Sequence, residues 1–402
     1  MSGAGRRWLQ RLGLLALGGS STLLALGASE VALRVLGYEP IYSVYSHPEI
    51  FWRRDDLLGW SHEPNSEGVY VGPRPWPVEF EAPVRINSLG LRGPEVPERS
   101  ARAYRVMLLG DSMVAGFEVP WERSFPALLE AQLNAEFEFP VEIINAGVRG
   151  YGTDQSYLYF KERGRRLEPD LVIHLHGGND PADNVTLHRM RRTFSKGGLA
   201  LRAQGGLELA GYPIPEYPLC SEWLLDSSFR PRRVDTPFES AMCGVQTRLS
   251  DRSALFTFVS LRLRQNPKLL VFFYQLGSPR SGAESMLSAQ GEEASDFPEV
   301  APRRELSAAI LRALAREVRA SGAEPMFLVI PSFWVGIDPR DFASEGVTLC
   351  EVADDLERAE YHYEHDSHLN LRGHELLAER LRPAVAERIR ARRAAAARAQ
   401  GD

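Results

Sequence analysis

The sequence predicts an α/β protein: a parallel sheet in the middle layer, with helices covering both faces. Three observations carry that expectation. Short apolar runs at Tyr104–Leu109, Val141–Asn145, Asp170–His176 and Met326–Ile330 alternate with stretches of helical periodicity. The runs are apolar nearly throughout, not at every second position, as strands buried on both faces of a parallel sheet are. The first three end in turns rich in glycine and polar residues: Gly110-Asp111-Ser112, Ala146 to Thr153, and Gly177-Gly178-Asn179-Asp180.

The elements follow in order. A helix is expected near Phe125–Asn134, another around Asp154–Arg165, and a third from Arg304, where Leu306, Ile310, Leu314 and Val318 share one face and Gly322 ends it. The last helix carries Leu377, Leu381, Val385 and Ile389 at a spacing of four, with Pro383 its one blemish. The basic run Arg388 to Arg398 reads as a solvated, fraying helix end. If the strands form a flavodoxin-like sheet of order 2-1-3-4-5, the crevice for a ligand opens between strands 1 and 3, outside their carboxyl ends.

Three further regions complete the chain. Residues 1–38 begin with Arg6, Arg7 and Arg11, followed by an apolar run from Leu12 to Ala28. That is a signal anchor with its basic end inside, or a signal peptide cleaved near Ala25-Leu26-Gly27. Either export reading places the body of the chain outside the cytoplasm, on the periplasmic or extracellular face; a buried soluble helix is the remaining alternative, and the anchored form is the expectation. Residues 39–100 are a proline- and aromatic-rich extension in which Gly68–Val71 and Val84–Asn87 read as small strands or a hairpin. Trp52, Trp60 and Trp76 are expected to pack it onto the main domain at 101–402. Regularity fails at about 181–302, an insertion expected to cover the site. In it, Gly198–Leu201 and Gly206–Leu209 suggest a hairpin, 253–264 a helix, 269–276 a helix or strand, and 282–302 a loop.

Composition narrows the function classes. The chain has 402 residues, 44% of them hydrophobic and 25% charged, with a net charge of −6, so nothing points to nucleic acid. Cys220, Cys243 and Cys350 show no metal-ligand spacing, although Cys220 and Cys243 suit a disulfide if the body is exported. His174 and His176 share a strand face and, with Asp180 or the later histidines, could build a metal site; satisfied core groups are the simpler reading.

The turns carry the chemistry. Ser112 stands at the tip of the first strand–helix turn, either a nucleophile or a helix cap. Its own amide, the amide of Gly150 and the side-chain NH2 of Asn179 would make a three-donor oxyanion hole. Among nine histidines, His368 stands out because Asp366 lies two residues before it; an acid there can orient an imidazole whose other nitrogen faces the serine. His362, His365 and His374 are nearby alternatives. Asp111 is expected to shape its turn. The G-x-S-x-G elbow of α/β-hydrolases is absent.

Gly110-Asp-Ser112, Gly150 within Asn145-Ala-Gly-Val-Arg-Gly150, Asn179 within Gly177-Gly-Asn-Asp180, and Asp366/His368 resemble the blocks of the SGNH (GDSL) hydrolases. The resemblance runs from about Tyr104 to Ile389, apart from the insertion. It implies a three-layer fold of serine esterases and acyl or acetyl esterases that need no metal or other cofactor. Ser112 would then be the nucleophile, His368 the base and Asp366 its orienting acid, with Gly150 and Asn179 completing the oxyanion hole. Many members place two residues between the acid and the histidine; here Ser367 stands alone between them. That form looks more like the membrane-linked members, including those that acetylate exported polysaccharides. The expected function is therefore esterase action on an O-acyl or O-acetyl ester of a small molecule, lipid or glycan. Alternatives are acyl transfer by the same residues and an inactive glycan-binding module.

Overall fold

The computed structural model describes residues 3–38, 52–72, 78–185, 196–202, 206–214, 245, 248–249, 252–264, 300–352 and 354–401. Trp76, the Cys220/Cys243 pair and the apolar stretch 269–276 fall outside the described residues, as does nearly all of the expected loop at 282–302.

Helix α1 spans Gly3–Val35, and its stretch Arg11–Val35 has a hydropathy of 1.5, long and apolar enough to cross a membrane. A signal sequence passes the same test. Leu14, Leu17, Leu23 and Leu24 are each more than 60% exposed, so the described residues do not cover this part of the helix.

The extension forms two hairpins. Strands β1 (Trp52–Asp55) and β2 (Gly59–His62) pair antiparallel, as do β3 (Glu67–Gly72) and β4 (Phe80–Arg85). Only the second was legible; the first is four residues a side and lacks alternation. Trp52, Leu58, Trp60, Val84 and Ile86 join the same buried cluster as sheet residues Met107, Leu109 and Val172.

Next come β5 (Tyr104–Leu109), the short helix α2 (Ser112–Ala115), α3 (Phe125–Glu136), β6 (Val141–Asn145), α4 (Thr153–Glu162), β7 (Leu171–Leu175) and the short α5 (Asp180–Asp183). From the insertion, β8 (Gly198–Leu201) and β9 (Leu207–Ala210) make the expected hairpin, and α6 covers Ala254–Arg264. Helix α7 starts at Val300, four residues before the expected point, and runs to Ala320. Then follow β10 (Glu324–Val329), α8 (Arg340–Ser344), β11 (Thr348–Glu351) and α9 (Leu371–Gly401).

The sheet order is β11-β10-β7-β5-β6 and every pair is parallel. Counting sheet strands along the chain, that is 2-1-3-4-5, as the sequence predicts. The two faces bury separate cores. One holds Met107 and Leu109 with α7 residues Ile310, Leu311 and Leu314; the other holds Val106 and Leu108 with α3 and α9 through Leu129, Leu133, Leu377, Leu381 and Val385. Each fully buried leucine of this kind contributes roughly 1.5–3 kcal/mol.

Two elements depart from expectation. The fifth strand went unplaced because Thr348–Glu351 is only half apolar, and Cys350 is its single buried residue. The basic end of α9 is not frayed. Arg388 pairs with Glu324 at 3.1 Å, Arg390 with Glu136, and Arg392 with Asp170 at 3.4 Å, so acidic residues from β10, from the end of α3 and from the loop before β7 hold it down.

Candidate active site

Ser112 is the first residue of α2, immediately past the carboxyl end of the sheet's inner strand β5. Asp111 caps that helix: its Oδ1 accepts the Met113 N–H at 2.9 Å, the turn-shaping role expected of it. Burial pushes the Asp111 carboxyl above its ordinary range and Asp180 adds to the push. The Met113 N–H, the charge of His368 and the Asn179 amide pull the other way.

The turn after β6 packs directly on α2. A Cβ on Gly147 would lie 2.6 Å from the Ala115 nitrogen, so only glycine allows this approach. Asn145 fastens the contact, donating from Nδ2 to the Val114 carbonyl at 2.9 Å and accepting the Gly147 N–H at 3.0 Å. Gly150 sits at φ +71°, a left-handed conformation that favours glycine. Asn179 ends the turn after β7, on the other side of β5. Its Nδ2 donates to Asp183 Oδ2 at 2.6 Å, and its Oδ1 lies where a Cβ on residue 177 would meet it at 2.7 Å, so that position needs glycine. All three expected oxyanion donors therefore lie on turns at one sheet edge.

His368 arrives on the loop before α9. Its Nε2 is 2.7 Å from Ser112 Oγ, and its Nδ1 contacts Asp366 Oδ1. The same carboxylate oxygen accepts the His368 backbone N–H at 2.9 Å. Burial alone would depress the imidazole. The charge of Glu118 opposes burial and the charge of Arg149, Asp366 adds its hydrogen bond and charge, and together the two carboxylates hold the His368 pKa above the usual 6.5. Burial would raise Asp366, but its hydrogen bond to His368 and the charges of His368 and Arg149 bring it below its usual value. Residues 112, 366 and 368 are thus in hydrogen-bonding sequence, 256 positions apart along the chain at their widest.

The other histidines have different surroundings. His362 places Nδ1 2.9 Å from the Ser367 carbonyl and Nε2 2.9 Å from that of Leu356, bracing the loop. His374 lies on α9, where Nδ1 accepts the Phe125 N–H at 3.2 Å. Burial, then Arg92 and His368, push it down to about 3, so it stays neutral. His365 lies 3.5 Å from Glu79. His174, His176 and Asp180 do come together. Thr153 donates to Asp180 Oδ2 at 2.6 Å, and His176 Nδ1 lies 3.1 Å from that same oxygen. Burial takes His174 down to about 4. The rings pack against Phe327 and Trp334, inside the core under α7.

Sequence reasoning missed three groups. Asn370 caps α9, accepting the N–H groups of Arg372 and Gly373 at 2.9 and 3.1 Å and so fixing where His368 enters. An asparagine just before a helical run was the available signal. Glu118 and Arg149, a buried ion pair beside His368 Nδ1, gave no local signal. A cavity of about 390 Å³ is lined by Met113 and Ser367, the chain neighbours of Ser112 and His368, together with Ile330, Phe333, Leu356 and Tyr363 among others.

The model of the GDSL-like lipase/acylhydrolase family matches residues 108–376, about two thirds of the chain. The protein belongs to that family. Its members are ester-hydrolysing enzymes. An arylesterase from Vibrio mimicus is 33% identical over 81 residues, a stretch covering 20% of this chain and 40% of that relative. Among solved structures, an esterase EstA from a Pseudoalteromonas species, inhibited by monoethylphosphonate, has a TM-score of 0.37 at 12% identity. The match covers 71% of this chain and 98% of that one. TesA gives the same TM-score at 13% identity, over 71% and 99% of the two chains. The fold of this GDSL-family protein rests on its own strand order.

Proposed function

We propose that this protein is a serine esterase that splits an O-acyl or O-acetyl ester through an acyl-enzyme. The observation that carries the reading is the line Ser112 Oγ, His368 Nε2, His368 Nδ1, Asp366 Oδ1, whose serine–histidine step is 2.7 Å. In the proposed reaction His368 takes the hydroxyl proton as Ser112 attacks the ester carbonyl, forming a tetrahedral oxyanion. The backbone N–H groups of Ser112 and Gly150 and the Asn179 amide stabilise that charge. His368 then hands its proton to the departing alkoxide, leaving the acyl group on Ser112. Water, deprotonated by the same imidazole, releases the acid.

The cavity that Met113 and Ser367 help to line is mainly apolar, with Ile330, Phe333 and Leu356 also on its walls, and it is assigned to the acyl side of the substrate. Helix α1 is assigned as an uncleaved anchor with its basic end inside, which puts residues 101–402 on the outer face of the membrane. Ser112→Ala tests the reaction: hydrolysis of p-nitrophenyl acetate should drop by about three orders of magnitude or more. A variant with full activity would sink the proposal.

A further inference from the structure

His368 Nδ1 faces two carboxylates, not one. Asp366 Oδ1 is in direct contact, and Glu118 Oε1 lies 3.6 Å away. We propose that Glu118 is a positioning residue for His368: it holds the imidazole against the Ser112 platform and shares with Asp366 the stabilisation of the imidazolium that forms during turnover. The proposal rests on the serine-esterase reading above.

The two acids are placed by different means. Asp366 belongs to the histidine's own loop, with one residue between them, and its oxygen is already engaged by the His368 backbone N–H. It orients the ring within the loop and would move with the loop. Glu118 lies six positions after Ser112, on the segment leaving α2. Its side chain is 1% exposed and ion-paired to Arg149, one residue before Gly150. A buried carboxylate at that point refers the ring to the part of the protein that carries the nucleophile and the glycine turn.

Glu118 is itself firmly held. Arg92, from the extension, donates to the Ala115 carbonyl at 2.8 Å, to that of Gly116, and to that of Val119 at 2.5 Å, so three carbonyls around Glu118 share one buried guanidinium. Phe117 stacks on both Trp52 and His62, which also pack against each other. The hydroxyl of Tyr363 donates to the Glu118 carbonyl at 3.1 Å, which ties the histidine loop to this segment. Arg149 also stacks over the Tyr70 ring at 4.9 Å. The charged or titratable groups around the imidazole are Glu118, Asp366, Arg149, Asp111, His374 and Tyr363. Of these, Glu118 is the leading influence that raises His368 and Arg149 the leading charge that lowers it.

The opposite signs give the test. In the full-length protein, kcat/KM for p-nitrophenyl acetate is followed from pH 5 to 9 in Glu118→Gln, Arg149→Met, Asp366→Asn and the Glu118→Gln/Asp366→Asn double variant. Ser112→Ala sets the floor. Glu118→Gln should lose on the order of tenfold in kcat/KM and move the acid limb down by about one pH unit. Arg149→Met should move the limb up. Asp366→Asn should stay above the floor, and the double variant should fall to it. A loss of folding alone would move melting temperature but not separate the two limbs by sign. The proposal is overturned if both limbs stay where they are in the parent, if they move together, or if the double variant is no worse than Asp366→Asn. Should Glu118→Gln not fold, Glu118→Asp replaces it: partial rescue of rate with a limb between parent and Arg149→Met excludes the proposal, and a downward limb supports it. Full activity in Ser112→Ala would remove the esterase reading and this proposal with it.

Discussion

The carboxyl edge of the sheet and the segment from Gly116 to Arg123 both border Ser112, yet they are built by different physics. At the sheet edge every candidate group follows a strand: Ser112 after β5, Gly150 after β6, Asn179 after β7. Local turn chemistry fixes them, with Asp111 capping α2 and Asn145 tying one turn to the next. The other segment has no regular element longer than the single 3-10 turn at Trp121–Arg123. Its shape comes from Arg92, from the aromatic stack around Phe117 and from the Glu118–Arg149 pair, all of them long-range. The edge carries the proposed reacting groups, and the segment carries what would keep the base in register with them.

Three substitutions separate these roles, and the largest effect belongs to the residue that touches both regions. His368→Ala should cost about three to four orders of magnitude in kcat/KM with the fold intact, read by steady-state kinetics and circular dichroism. In Arg92→Met the loss should appear in stability. Three buried carbonyls lose a charged donor, and thermal or denaturant unfolding should report about 3–5 kcal/mol. Asn179→Ala should show the converse, a loss of about 100-fold in kcat with unfolding little changed. If Arg92→Met spared stability while Asn179→Ala unfolded the protein, the contrast between the regions would collapse.

The pH responses are smaller and carry signs. The proposed base must be neutral, so kcat/KM should fall as pH drops through a value above 6.5, because His368 is raised. Its contribution to stability has the reverse dependence: present in full below the unfolded value near 6.5 and lost as pH rises through the folded one. His374, held down to about 3, contributes stability above 6.5 that disappears as pH falls from there. The loss is about 1.4 kcal/mol per pH unit over that window. His374→Gln should therefore decline less steeply than the parent below pH 6.5 in urea unfolding; equal slopes would contradict its assignment as a buried neutral ring.

Legibility in the sequence tracks this division. Four of the five sheet strands could be placed because runs such as Tyr104–Leu109 are apolar nearly throughout, and their order was the one a flavodoxin-like sheet would give. Thr348–Glu351 could not, since an edge strand with one buried residue has no such run. Ser112, His368 and Asp366 stood out through turns and spacing, and so did Gly150 and Asn179. Glu118 and Arg149 did not, because nothing within either neighbourhood marks them; they become a pair only when residues 31 apart in sequence meet in the core. The basic tail misled for a related reason. Its arginines are solvated as expected, Arg390 being 61% exposed, but Glu136, Glu324 and Asp170 beneath them keep the end helical.

The central claim is that Ser112 is the nucleophile. Labelling the full-length protein with a fluorophosphonate and locating the adduct by mass spectrometry tests it most directly. One adduct is predicted, on the peptide containing Gly110-Asp111-Ser112, and it should vanish in His368→Ala. A protein that hydrolyses esters while Ser112 stays unlabelled, or that carries the adduct on another residue, would contradict the account.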